Sequence, residues 1–550
     1  MILPVKCKFH LGFVILLCLL QYSASHAQKN RKANYTRVDS LRGHLNAFRS
    51  CFDVKYYDLT VHVDPDHRSI AGCNHILMES IRDFNRIQLD LFSNMEIDSV
   101  IHAGQLLPFT REGNAFHVHF PLTIRAGDMQ SVSVYYHGKP VVAKHPPWDG
   151  GFVWAIDSLH RHWIGVSCEG IGASLWWPNK DHLSDRPDSM RVSMIIPDYL
   201  TGVSNGRLVD TASMANGNKR WTWKVSYPIN NYNISLNIAY YSHFQETFLG
   251  LEGSLDLNFY VLDYNLYRAK EQFQQVQPML MCYEHYFGPY PFIRDSYKLV
   301  ETSYWGMEHQ SGIAYGNNFR NNEFGFDYII IHESGHEYWG NSVSIKDLGE
   351  LWVHESFATY MESLFMEYFH GKELAAEYLE LQKENIENRQ PILGPLEVNY
   401  DNWMDADMYY KGAWMLHSLR NTINNDSAWF TLLRNTYEEF KYKTVTSQDI
   451  IEYMNAHTEY DLMPIFNHFL TKEKVPLLKV KEKRKTAGLE LTYKWKEVED
   501  NFNMPVEIKY RENDIRLYPT VKKQKRVLST NPISNIHYVT DRFYYILKRE

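Results

Sequence analysis

With 550 residues, 44% of them hydrophobic and 22% charged, the chain is too long for one core and too apolar for a disordered protein, so several folded domains are expected. A formal net charge of −8 gives no basic surplus and speaks against a nucleic-acid partner. Outside the first 27 residues only Cys51, Cys73, Cys168 and Cys282 remain, too sparse for a zinc cluster or a disulfide scaffold but enough for one disulfide.

The chain opens with Lys6 and Lys8, an apolar run "LGFVILLCLL" (11–20), and Ser25 and Ala27 spaced small-x-small before Gln28. This predicts a secretory signal peptide over 1–27 and a periplasmic or extracellular destination. The run is too short to span a bilayer, and no later stretch does so, so no membrane insertion of the mature chain is expected. Leucines flank Cys18 where a lipidated cysteine needs a small residue before it.

Residues 28–48 are polar and basic and read as a linker. From 49 to 244 the pattern alternates: "YDLTVHVD" sets Tyr57, Leu59, Val61 and Val63 on one side, and "SVSVYYHG" (131–138) does the same, predicting a β-rich domain. Residues 245–474 carry helical stretches at 267–288, 348–369 and 407–423, and "TSQD" (446–449) reads as a capping box. Pro476 closes that block. Over 475–550, "LELTYKW" and "VEIKY" alternate again, predicting a small C-terminal β domain whose basic runs "KEKRK" and "KKQKR" are solvated strand ends. The fold class expected is multidomain α+β.

The chemistry is concentrated in "IIIHESGHEYWGN" (329–341). On a helix His332 and His336, four apart, aim their imidazoles at one point. A catalytic zinc needs a third ligand and an open position. Glu355 in "LWVHESFATY" supplies it, eighteen residues intervening after His336. Two neutral imidazoles and one carboxylate leave a net positive site for one Zn2+ per chain, suited to lowering the pKa of water. Glu333, turned away from the ligands by its angle on the helix, is the expected general base and acid. His354 is read as a packed or supporting residue and not as a ligand.

These residues resemble the gluzincin zinc aminopeptidases of the aminopeptidase N and leukotriene hydrolase type, and "YFGPYPF" (286–292) and "IAG" (70–72) extend the resemblance over most of the chain. The resemblance implies an N-terminal β domain, a thermolysin-like, mostly α catalytic domain, a small C-terminal β-sandwich, and no large C-terminal helical domain. In "YWGMEHQSG" (304–312) it implies a substrate-binding strand at Gly306 and Met307 and an amine-binding carboxylate at Glu308; Trp305 and His309 depart from the family's glycine and asparagine. "SCEGIGASLWWPNKD" (167–181) resembles the region of a second amine-binding residue, Glu169. In "MYYKGAWML" (408–416) the resemblance, through the family's Tyr-x-Lys-Gly pattern, implies Tyr409 as the oxyanion donor.

The activity so implied is removal of the N-terminal residue from peptides with a free N-terminus. Two carboxylates facing one ammonium would reject an acylated or internal amide, because their buried charges would stay unpaired. The rival readings are a thermolysin-like endopeptidase, which shares the zinc motif, and a catalytically silent peptide-binding protein of the same fold. Epoxide hydrolysis needs further residues that are not placed in this sequence.

Overall fold

The computed structural model describes residues 35–485, 488–528 and 535–550. The signal peptide expected at 1–27 lies outside the described residues, as do residues 28–34 of the expected linker. The rest of that linker is built into the fold. Arg37–Gly43 is a helix whose Asp39 accepts from the backbone N–H (2.6 Å) and hydroxyl (2.8 Å) of Thr36. Just beyond it Arg49 is fully buried and paired with Asp90 at 2.6 Å. Within the expected linker, Arg42 donates to the Gly170 carbonyl at 2.8 Å, and a basic stretch looks like connector in one dimension when its partner lies so far along the chain.

The N-terminal part is β-rich. An eight-stranded sheet has at its centre Phe52–Asp64, antiparallel to Ser69–Ser80 and parallel to Ser189–Pro197. The alternation predicted there is realised: Tyr57, Leu59, Val61 and Val63 all point into the core and are fully buried. A four-stranded sheet of Thr201–Val203, Asn237–Ala239, His162–Ser167 and Gly151–Ile156 stands beside it. Strand His162–Ser167 runs straight into the segment carrying Glu169.

The next block begins with a five-stranded sheet, and its last strand, Gly306–Met307, pairs on one side only, with Ile313–Tyr315. Helices follow at Tyr328–Gly335, Trp352–His370, Asp407–Ile423 and Ser447–Ala456, the last opened by the Thr446–Asp449 capping box. The expected helix over 267–288 is divided: Leu266–Gln272 and Val276–Phe287 are joined by one 3-10 turn, and the second ends at Gly288 with φ +96°, open to glycine.

Gly412 explains how two of the helices pack. A Cβ there would lie 1.8 Å from Ser356 Oγ, so helix Asp407–Ile423 rests directly on helix Trp352–His370. Beyond the helices a four-stranded sheet, which includes Leu477–Lys485 and Gly488–Lys496, and a three-stranded sheet with Val506–Tyr510 at its centre bury Val480, Leu491, Trp495, Val506 and Ile508.

This is the fold class expected. All four cysteines among the described residues are free thiols, so the disulfide left open by the sequence is not formed among them. Among the described residues no helix is long and apolar enough to cross a membrane.

Candidate metal centre and active site

Asp327 caps the helix that bears the two histidines, its carboxylate accepting from Ile329 N–H at 3.1 Å. That helix ends at Gly335, one residue short of His336. His336 nevertheless keeps helical torsions (φ −64°, ψ −20°), so the four-residue spacing still stacks the rings.

The orientation of each imidazole is set from behind. His332 Nδ1–H donates to Glu362 Oε1 (2.7 Å) and His336 Nδ1–H to the carbonyl of Trp339 (3.0 Å). With both Nδ1 atoms used as donors, the two Nε2 atoms face each other at 3.2 Å with lone pairs, and each lies 3.4 Å from Glu355 Oε2.

Three buried acceptors so close repel one another unless a cation joins them. Glu355 Oε2 has no hydrogen-bond donor of its own. Tetrahedral zinc with ligands at about 2.0–2.1 Å sets its ligand atoms about 3.3 Å apart, which the three observed edges match. His332, His336 and Glu355 therefore fit zinc, and their chemistry leaves a fourth position for water or substrate.

The structure brings the other predicted residues around this point. Gly306 runs against Glu333: a Cβ on Gly306 would fall 2.6 Å from Glu333 Oε1, so a side chain there would have to displace that carboxylate. The Glu333 carboxyl is pushed up to about 7 by burial, against the pull of His332 and His336. Tyr409, half-buried at the start of its helix, stacks on His332 with centroids 6.0 Å apart. Burial, followed by the charges of Glu355 and Glu169, raises its phenol well above its ordinary value, so it is a neutral donor.

Met307 accepts from Ser167 Oγ (3.4 Å), tying the strand to the β domain. Glu308 Oε1 accepts from Tyr232 (2.9 Å), and its backbone carbonyl accepts from Asn341 Nδ2 (2.7 Å). Glu169 is brought beside it: carboxylate oxygens of both and a ring nitrogen of His354 lie within 4.8 Å of one another. Glu169 Oε1 is buried without a partner. Burial, and then the neighbouring Glu308, raise the Glu169 carboxyl well above its ordinary range; burial raises Glu308 too. A cation placed between them would relieve both.

His354 is not a further ligand. Its Nε2 accepts from Ile345 N–H (3.2 Å), so Nδ1 carries the proton and the ring, which burial pushes down to about 3, is neutral. His309 is fully buried with neither ring nitrogen partnered.

Three supporting residues were not singled out in the sequence. Glu362, seven residues after Glu355 on one helix, was findable from that spacing. Glu337 accepts from Tyr290 (2.5 Å), Ser311 N–H (2.9 Å) and Asn341 (3.0 Å) and so holds the turn after Glu308. Tyr232 comes from the β domain, and no sequence spacing connects it to Glu308.

Residues 272–469 match the model of the Peptidase family M1 domain. Endoplasmic reticulum aminopeptidase 1 of Mus musculus is 22% identical over 271 residues, 45% of this chain and 28% of that protein. Aminopeptidase N of Lactobacillus helveticus is 25% identical over 242 residues, 39% of this chain and 28% of that protein. The matches thus span less than a third of the length of these curated relatives. Among solved structures, an M1 zinc metallopeptidase from Deinococcus radiodurans shares the fold with a TM-score of 0.65 at 19% identity, covering 77% of this chain and 94% of its own. A mutant of that enzyme bound to a Tyr-Ser-Ala substrate gives 0.66, covering 78% and 96%.

Proposed function

From a chain whose helical block is a peptidase family M1 domain, of the gluzincin aminopeptidase family, we propose a metalloaminopeptidase that hydrolyses the first residue from peptides with a free N-terminus. The observation that carries this is the pair Glu308, buried, and Glu169, half-buried with its Oε1 unpartnered, two carboxylates that meet beside the His332, His336 and Glu355 triad. An ammonium is the group that satisfies them.

Each residue has a physical role. His332, His336 and Glu355 would hold a zinc ion, which when bound would supply a Lewis acid for the scissile carbonyl and for lowering the pKa of water toward about 7. Glu333 takes the proton from the attacking water and delivers it to the leaving amine. Tyr409 donates to the developing oxyanion, a contribution of about 10²–10³ in rate for one such donor. The one-sided strand Gly306–Met307 offers backbone groups to an extended peptide. Glu308 and Glu169 stop that peptide at its first residue.

Export follows the same reading: the leader at 1–27 directs the chain to a periplasmic or extracellular space, and the mature protein begins at Gln28. N-terminal sequencing of the secreted or periplasmic fraction tests it; an intact Met1 overturns it.

The activity is tested on matched peptides with free and acetylated N-termini, before and after chelation and zinc return. Stepwise release from free-amine peptides alone, restored by zinc, supports the proposal. Internal cutting of acetylated peptides replaces it with the endopeptidase reading, and zinc binding without cleavage replaces it with a peptide-binding role.

A further inference from the structure

Two exposed indoles stand at the mouth of this site with no part in the chemistry above. Trp305, immediately before the strand Gly306–Met307, is 45% exposed, and Trp148, from the β domain, is 62% exposed. Their ring centroids are 6.3 Å apart and their planes tilted by 43°, so two separate parts of the chain build one aromatic rim.

Both rings are held from behind. Trp305 stacks on Tyr328 (5.4 Å, 20°), and Tyr328 stacks on the metal ligand His332 (5.2 Å, 17°). Asn317 Oδ1 accepts from Trp305 Nε1 at 3.4 Å. The loop bearing Trp148 is pinned by Asp149, which accepts from the backbone N–H groups of Lys144 (2.6 Å) and His145 (2.9 Å). Ser167 Oγ adds a hydrogen bond to the Pro147 carbonyl (3.1 Å). An aromatic column therefore runs unbroken from the metal ligand to solvent and ends in an oriented apolar patch.

The position of the rim along the strand says what reaches it. Read backwards from Glu308, the strand passes Gly306, which touches Glu333, and then Trp305. That is the order of a substrate's parts: the amine at Glu308, the first carbonyl at Glu333, the next residue at Trp305. Bound peptide and strand both advance about 3.3 Å per residue when extended, so the order is kept across the pair.

We infer that Trp148 and Trp305 form a subsite for the residue immediately after the scissile bond, and that it selects an aromatic or other large apolar side chain there. The inference rests on the aminopeptidase reading. It adds a preference on the leaving side, where indole faces are what the rim offers.

The test uses the full mature chain and tripeptides of fixed first and third residues, with Phe, Trp, Leu, Ser, Gly or Glu second. The expected kcat/KM ratio of Phe over Gly is about tenfold or more, the scale of one well-packed ring contact. It falls toward unity in W305A, in W148A and in the double variant, and W305F retains most of it. Circular dichroism and thermal unfolding check each variant's fold. Because the rings lie on different domains, W148A carries the test alone if W305A fails to fold.

A wild-type ratio near unity, or one that survives in the double variant, overturns the subsite while leaving the aminopeptidase reading intact. No release from any free-amine peptide overturns both.

Discussion

Glu355 and Glu362 lie seven residues, about two turns, apart on one helix, and both reach across to His332: Glu355 Oε2 stands 3.4 Å from its Nε2 and Glu362 Oε1 2.7 Å from its Nδ1. A single helix face thus supplies one member of the candidate metal triad and the group that orients another. Glu362 is itself held by the Tyr378 hydroxyl and by Gln382 Nε2 (3.1 Å).

Replacing Glu362 with Gln should therefore weaken zinc binding by roughly 10–100-fold, the usual effect of losing such an outer partner, while peptide affinity of the zinc-loaded enzyme changes little. Competition with a chelator measures it. Unchanged affinity would mean that the His332 ring is oriented by packing against Tyr328 alone.

Glu333→Gln should lower kcat by roughly 10²–10⁴, the range for a positioned general base, with zinc content unchanged. Metal analysis beside turnover separates the outcomes. Loss of zinc would place Glu333 in the metal site, and full turnover would remove it from the proton path.

Gly412→Ala should cost roughly 1–3 kcal/mol of stability, because the new Cβ meets Ser356 Oγ at 1.8 Å and Ser356 Cβ at 2.6 Å. Tyr409 lies three residues earlier on the same helix, so kcat should fall as well. Denaturant unfolding checks the first effect. In a Ser356→Gly background the same substitution should cost less, and equal costs in both backgrounds would show that the contact is not the cause.

Glu301 gives a pH prediction away from the metal. Its carboxylate accepts from Leu262 N–H (2.8 Å) and Asn265 Nδ2 (2.7 Å), and burial pushes it up to about 7 from 4.5. The folded value is the higher one, so its contribution is fully present below about pH 4.5 and is lost as pH rises through 7. Relative to Glu301→Gln, wild-type stability should decline across that window by roughly 3 kcal/mol, read from unfolding at several pH values. A constant difference from pH 4 to 8 would contradict the shift.

The meeting of His332, His336 and Glu355 was legible in the sequence because a helix makes spacing into geometry. His332 and His336 meet through the 3.6-residue period, and the eighteen-residue interval reaches Glu355 on the next helix. Strand alternation worked for the same reason: Tyr57, Leu59, Val61 and Val63 are buried because every second side chain shares a face. Glu308, Glu169 and Tyr409 came from a resemblance to known enzymes, since no local period connects them.

What only tertiary structure decided is whatever depends on approach between distant segments. Arg42 found the Gly170 carbonyl and tied an apparent linker into packed structure; Tyr232 reached Glu308 from another domain; Trp148 met Trp305 across the mouth of the site. Short-range periodicity is dictated by backbone geometry and can be read along the chain. Contacts between segments a hundred residues apart depend on how whole sheets and helices pack, and that is settled only when burial and hydrogen bonding are satisfied together.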